Sequence, residues 1–150
     1  GFVDETGTGE GAGYTVNVPL RAGDGDGALL VAFESLLLPL AEAFQPQLVL
    51  VSVGYDGQQG DPLGDLCYSE TSFQWMAAQL RVLCDRIGAA GPLCFLEGGY
   101  VPGMMSSSVV ATIRGMEGEM PEFDPPVTDN EHTDVEKAIV QLRPFWSGVL

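Results

Sequence analysis

Residues 48–66, LVLVSVGYDGQQGDPLGDL, begin as a strand and end as a loop. The first six, LVLVSV, are apolar at both alternations, the pattern of a strand buried on two faces in a parallel sheet. The loop that follows is rich in Gly and Asp and carries Asp56 and Asp61. A second unit of the same kind, PLCFLEGGY at 92–100, is again an apolar run that stops at Gly98 and Gly99, with Glu97 before them and Tyr100 after them. In open α/β sheets ligands bind at the carboxyl ends of the strands, so these two loops are expected to build one site.

Between the two units, Ser69 is a good N-cap with Glu70 in the first turn. The helix TSFQWMAAQLRVLCDRI follows, ended by GAAGP. Before residue 48, the run ALLVAFESLLLPLAEAF has helical periodicity from Asp26, read as its N-cap, to Phe44. Pro39 lies inside it and should kink it. YTVNVPL at 14–20 alternates and reads as a strand. Residues 1–13 are a glycine-rich acidic loop, and their Gly-x-Gly steps do not follow a strand as a phosphate cradle would. The order β, α, β, α, β implies a three-layer α/β/α fold with a mainly parallel sheet and right-handed crossovers. Beyond Tyr100 the pattern predicts a helix over about 103–117, an acidic, proline-rich loop, and a short helix over about 132–143 that ends at Pro144. Phe145 and Trp146 are expected to dock on the body of the domain.

The chain has 150 residues, of which 45% are hydrophobic, enough for one domain with a core. No apolar stretch without charges reaches the length of a bilayer span, and no segment has a basic start and apolar middle. The chain opens at Gly1 and reads as a piece of a longer protein. There are 21 acidic residues against six basic ones, a net charge of −15. Such a surface repels nucleic-acid phosphates and anionic lipid, so neither is expected as a partner. It suits a cationic substrate, general solubility or adaptation to high salt. Cys67, Cys84 and Cys94 form no CxxC pair and read as reduced, buried small residues, and a cytoplasmic location is expected.

Asp61 sits on a tight turn, GDPLG, with Gly60 and Gly64 beside it. Such rigidity suits a metal ligand, whose position must be right to about 0.2 Å. On local sequence alone a turn-capping Asp before Pro is the commoner reading. Tyr100 follows two glycines, which let a ligand approach closely, and its phenol could donate to a developing oxyanion. It could also be a rim tyrosine. Asp56 reads as a carboxylate that braces its loop from behind, and Glu97, last in its strand, could face the site or brace the loop. His132, the single histidine, lies in DNEHTD near the start of the last helix and reads as a solvated loop or capping residue.

GYTVNVPL, then LVLVSVGYDGQQGDPLGDL, then FLEGGY, in this order and spacing, resemble the zinc-dependent histone deacetylase and acetylpolyamine amidohydrolase superfamily, closest to its class II-like and prokaryotic branch. The resemblance covers nearly the whole chain and identifies residues 1–150 as the C-terminal portion of a single catalytic domain with an arginase/deacetylase-like fold. It implies that Asp61 is one ligand of a Zn²⁺ ion and that Tyr100 is the transition-state tyrosine. It places Leu63 at the lip of the acyl-lysine channel and Gly98 and Gly99 in its wall. The tandem His–His base and the Asp-x-His ligands of the family belong to an N-terminal half that this sequence does not contain, so the zinc site is completed only with that half. The implied reaction is hydrolysis of an acetyl amide on a lysine side chain of a protein, or on a polyamine or other small amine. A degenerate, non-catalytic binding module is the alternative. The isolated chain is expected to be inactive, with the missing half or a second copy as its partner.

Three positions depart from the family pattern. Gln58 stands where a His is frequent, Val101 where an Asn usually follows the tyrosine, and Leu63 is not acidic, which speaks against a dedicated polyamine gatekeeper.

Overall fold

The two apolar runs pair with each other. In the computed structural model, which describes all 150 residues, β1 (Leu48–Val53) and β2 (Ala90–Leu96) form a two-stranded parallel sheet. Val51 pairs with Cys94 and Val53 with Leu96, so the strands end level. The connection between them is α3 (Glu70–Ile87), which completes a strand–helix–strand unit. Ser69 caps α3 as the sequence predicts, its hydroxyl accepting from Ser72 N–H at 3.3 Å. Gly88 closes it in the left-handed region at φ 73°.

The long helical run forms as one continuous helix, Asp26–Phe44. It consists of α1 (Asp26–Ala32), a π turn over Phe33–Leu37 and α2 (Leu38–Phe44). The proline expectation changes form here. Pro39 has no N–H to donate, and the helix widens into the π turn just ahead of it, where Leu38 N–H reaches back to Phe33 O. Asp26 is not the N-cap. Gly25 holds that place, and the Asp26 carboxylate instead accepts from the N–H (2.8 Å) and hydroxyl of Ser69, tying the start of α1 to the start of α3. This helix is long and apolar enough to cross a membrane, with mean hydropathy 1.7, which the sequence reading did not anticipate. Its apolar side chains are used within the protein. Val31, Leu36 and Leu40 meet Val135, Ala138, Ile139 and Leu142 in one core cluster, and Phe33 meets Trp75, Leu80 and Leu83 in another.

YTVNVPL forms no strand. It pairs with neither β1 nor β2. The segment is anchored instead by Tyr14, whose ring meets Phe44 and Trp146 edge-on, and by the Trp146 indole N–H, which donates to Gly13 O at 2.8 Å. The observed order is therefore α, β, α, β, α, α. Nor are the strands buried on two faces. The face bearing Val51 and Val53 lies over Phe33, Phe73 and Leu80. The other face, with Leu50 58% and Phe95 50% exposed, is open in this chain.

Two further helices follow, α4 (Pro102–Met116) and α5 (Asp129–Leu142). Helix α4 crosses α3 where Gly115 lets the backbones touch: a Cβ there would fall 2.2 Å from Gln74 O. Helix α5 starts earlier than predicted, because Thr128 and Glu131 form a reciprocal capping box. His132 is thus an exposed residue of the first helical turn rather than of a loop. Glu131 also accepts from Ala28 N–H at 3.1 Å, joining α5 to α1. Asp134, buried on the same helix, receives Arg21 at 2.9 Å and Lys137 at 2.7 Å. Burial alone would push the Glu131 carboxyl up, but the hydrogen bonds from Thr128, Gly25 and Ala28 outweigh it and hold it below the ordinary glutamate range.

Gly115→Ala is expected to destabilise the protein by about 1–3 kcal/mol through overpacking. Gly103→Ala, whose Cβ would meet nothing within 4 Å, is expected to be neutral or stabilising by up to about 1 kcal/mol. Urea denaturation midpoints compare the two, and equal effects would contradict the close crossing. Glu131 has a lowered folded pKa, so its contribution is complete above the ordinary glutamate value and disappears as pH falls through the lowered one. The stability gap between the native protein and Glu131→Gln should therefore narrow from pH 7 to pH 3 in the same assay. A gap that stays constant would show that the charge of Glu131 contributes nothing.

Candidate functional site

Because β1 and β2 end level, their loops leave the sheet side by side. Pairing continues one step past the strands, with Glu97 N–H donating to Val53 O (3.0 Å) and Tyr55 N–H to Gly98 O (2.9 Å). The first loop then folds on itself. Gln58 N–H donates to Tyr55 O at 3.2 Å and Asp61 N–H to Gln58 O at 3.1 Å, while Tyr68 closes the loop through Gly57 and Gln59. This winding delivers Asp61 to the start of the second loop.

Asp61 is buried and held by three backbone donors. Its Oδ1 accepts from Leu63 N–H at 2.9 Å and Gly64 N–H at 3.3 Å, and its Oδ2 accepts from Tyr100 N–H at 2.7 Å. Burial would raise its pKa, but the N–H groups of Tyr100, Leu63 and Gly64 together lower it below the usual carboxylate range. Asp61 is therefore ionised at neutral pH. A carboxylate offers about four lone-pair sites, so three donors leave capacity for a further electrophile such as a cation. The turn-capping role and a metal-binding role are compatible in one side chain. Tyr100 lies beside it through its own backbone, with the ring half-exposed at the rim.

The other expected residues lie close by. Asp56 lays its carboxylate over the main chain of Gly54 and Gly98: a Cβ on Gly98 would fall 2.4 Å from Asp56 Oδ2. Asp56 thus braces the two loops against each other. Gly99, at φ +127°, needs glycine for its conformation and lies against Tyr55 and Met105. Leu63 is 70% exposed next to Asp61, and the Glu97 side chain is solvent-exposed at the strand end.

Four supporting residues escaped the sequence reading. Tyr55, 4% exposed, donates its hydroxyl to Thr112 Oγ1 at 3.0 Å, and fully buried Ser108 donates to Gln58 Oε1 at 2.8 Å. Gln58 was legible only as a departure from a family pattern. The signal for the helix partners is the pair Ser108 and Thr112, four residues apart on α4 and both buried.

No group of three or more His, Cys, Asp or Glu side chains converges in this chain. His132, in the first turn of α5, is not among the residues that hydrogen-bond to Asp61. The three cysteines are free thiols; Cys84 is buried, and Cys67 and Cys94 are partly so.

The histone deacetylase domain family matches residues 1–116. Histone deacetylase 15 of Arabidopsis thaliana is 39% identical over 155 aligned residues, covering 99% of this chain and 27% of its own. Polyamine deacetylase HDAC10 of Homo sapiens is 35% identical over 151, covering 97% of this chain and 22% of its own. The crystal structure of the HDA15 HD domain superposes with a TM-score of 0.88 at 35% identity, over 99% of this chain and 40% of that one. For the histone deacetylase Clr3 the TM-score is 0.87 at 29% identity, over 97% and 24%. The chain therefore spans well under half the length of these relatives. Its parallel sheet, helices and loop order are those of the deacetylase fold, and the chain belongs to the histone deacetylase domain family.

Proposed function

We propose that this chain contributes to the zinc-dependent hydrolysis of an acetyl amide on an amine, with Asp61 as one metal ligand and Tyr100 as the catalytic tyrosine. The observation that carries this reading is the Asp61 carboxylate, ionised, rigidly held by three N–H groups, and bonded to the backbone of Tyr100 itself. A zinc ion bound there would act as a Lewis acid on the acetyl carbonyl. Asp61 would hold its carboxylate fixed without reorganising, since its donors come from a closed turn and the neighbouring loop. The Tyr100 phenol would donate to the carbonyl oxygen as negative charge builds on it, a contribution of about 3–4 kcal/mol for one donor. Leu63, exposed beside Asp61, would flank the acyl-amine chain as it enters, with Gly98 and Gly99 as the bare wall opposite.

The substrate class is an acetylated amine that is otherwise cationic. Relatives named for histone and for polyamine substrates support that breadth, and a net charge of −15 favours a cationic chain in either case. Leu63 in place of an acidic residue favours acetyl-lysine over acetylpolyamine.

In the full-length protein, Asp61→Ala should lose bound zinc by metal analysis as well as activity. Tyr100→Phe should keep its zinc and lose turnover by about 10²–10³-fold. Full zinc occupancy in Asp61→Ala would remove Asp61 from the ligand set, and a fully active Tyr100→Phe would remove Tyr100 from the catalytic role. A full-length protein with neither zinc nor turnover would instead favour a non-catalytic binding module. Competing an acetyl-lysine peptide against acetylspermidine should give the higher kcat/KM for the peptide, and the 150 residues alone should hydrolyse neither.

A further inference from the structure

We infer that Gln58 is a positioning residue for the reaction, acting through Ser108 to hold the Asp61 turn in register with Tyr100; this rests on the function proposed above.

Three observations meet in Gln58. Its main chain organises the turn, with its N–H bonded to Tyr55 O and its carbonyl accepting from Asp61 N–H at 3.1 Å. Its side-chain oxygen accepts from Ser108 Oγ at 2.8 Å, fifty residues away in sequence. Ser108 is fully buried in α4, whose first residue, Pro102, is two past Tyr100. Helix α4 is thus a rigid arm with Tyr100 at its amino end and the Gln58 contact one and a half turns along it. One turn further, Thr112 receives the Tyr55 hydroxyl at 3.0 Å and itself donates to Ser108 O at 2.9 Å. The loop carrying Asp61 is therefore fastened to the helix carrying Tyr100 at two points.

Only one other hydrogen bond joins the two site residues directly, from Tyr100 N–H to Asp61 Oδ2. It fixes the tyrosine backbone against the carboxylate. The Gln58–Ser108 bond ties the turn itself to α4, through the residue whose carbonyl accepts from Asp61 N–H. Displacements of about 1 Å in such a constellation cost up to about 100-fold in rate.

The test uses the full-length protein. In Gln58→Ala, kcat for an acetyl-lysine peptide should fall about tenfold with KM within about twofold and zinc content unchanged. Hydrogen exchange by mass spectrometry should speed up in peptides containing the Leu63, Gly64 and Tyr100 amides. Gln58→Glu, which keeps an acceptor for Ser108 Oγ, should restore both readouts. Ser108→Ala should reproduce Gln58→Ala, and the double variant should be no worse than either alone, since both remove one bond. Unchanged exchange in Gln58→Ala, unchanged kcat despite faster exchange, or multiplicative losses in the double variant would each overturn the positioning role. An unsubstituted protein that hydrolyses nothing overturns the catalytic reading itself and this role with it, and is distinguished by that control.

Discussion

The hydrogen bond from Tyr100 N–H to Asp61 Oδ2, 2.7 Å long, spans 39 residues of sequence and joins the two loops on which the site depends. It forms only because β1 and β2 run parallel and finish level. In a parallel pair both strands exit at the same end of the sheet, and α3 returns the chain to the start so that this can happen. A slip of one residue would reverse the faces of β2 and carry Tyr100 away from the carboxylate. Much of the remaining structure serves this alignment. Asp26 ties the entry of α3 to α1, and the close α3–α4 crossing at Gly115 sets the height of the helix that follows Tyr100.

The carboxylates divide the work of the site between them. Asp61 has its charge stabilised by amide donors. Asp56, five residues earlier, presses on the bare backbone of Gly98 and fixes the loop spacing. Its carbonyl also lies where a Cβ on Gly64 would fall, at 1.7 Å. Gly98 and Gly99 of LEGGY are thus required by packing against Asp56 and Tyr55 of the first loop, and Gly64 of GDPLG by packing within its own loop, before any ligand arrives. This gives a physical reason for the bare backbone of LEGGY beside the first loop: Asp56 and Tyr55 occupy the space its side chains would need.

The strand–helix–strand unit and its two polar loops were legible because their signals are local. LVLVSV, the Ser69 cap and GDPLG each declare themselves within a few residues. YTVNVPL was misread because alternation specifies a half-buried ribbon but not what pairs with it, and here Tyr14 finds aromatic rings instead. The same limit applies to LVLVSV, which was expected to be covered on two faces and has one open. Pro39 obeyed the local rule about its missing N–H but met it by widening the helix. The start of α5 was legible in principle, since Thr128 and Glu131 have the spacing of a capping box, and the acidic composition around His132 concealed it. Around the two loops, the turn at Asp61 and the glycines before Tyr100 are visible in the sequence and the pairs that brace them are not. Gln58–Ser108 and Tyr55–Thr112 join residues 50 and 57 apart, a relation that no window on the chain contains.

The open face of the two-stranded sheet has a colloidal consequence. Each strand has one edge with no neighbour in this chain, and the exposed Leu50 and Phe95 lie between those edges. Such edges are templates for further strands. What opposes their meeting in solution is a net charge of −15 on each copy. That repulsion reaches about 30 Å at 0.01 M salt but only about 3 Å at 1 M. For these 150 residues, added salt therefore acts as an adhesive: dilute buffer keeps copies apart, and brine lets their sheets extend into one another.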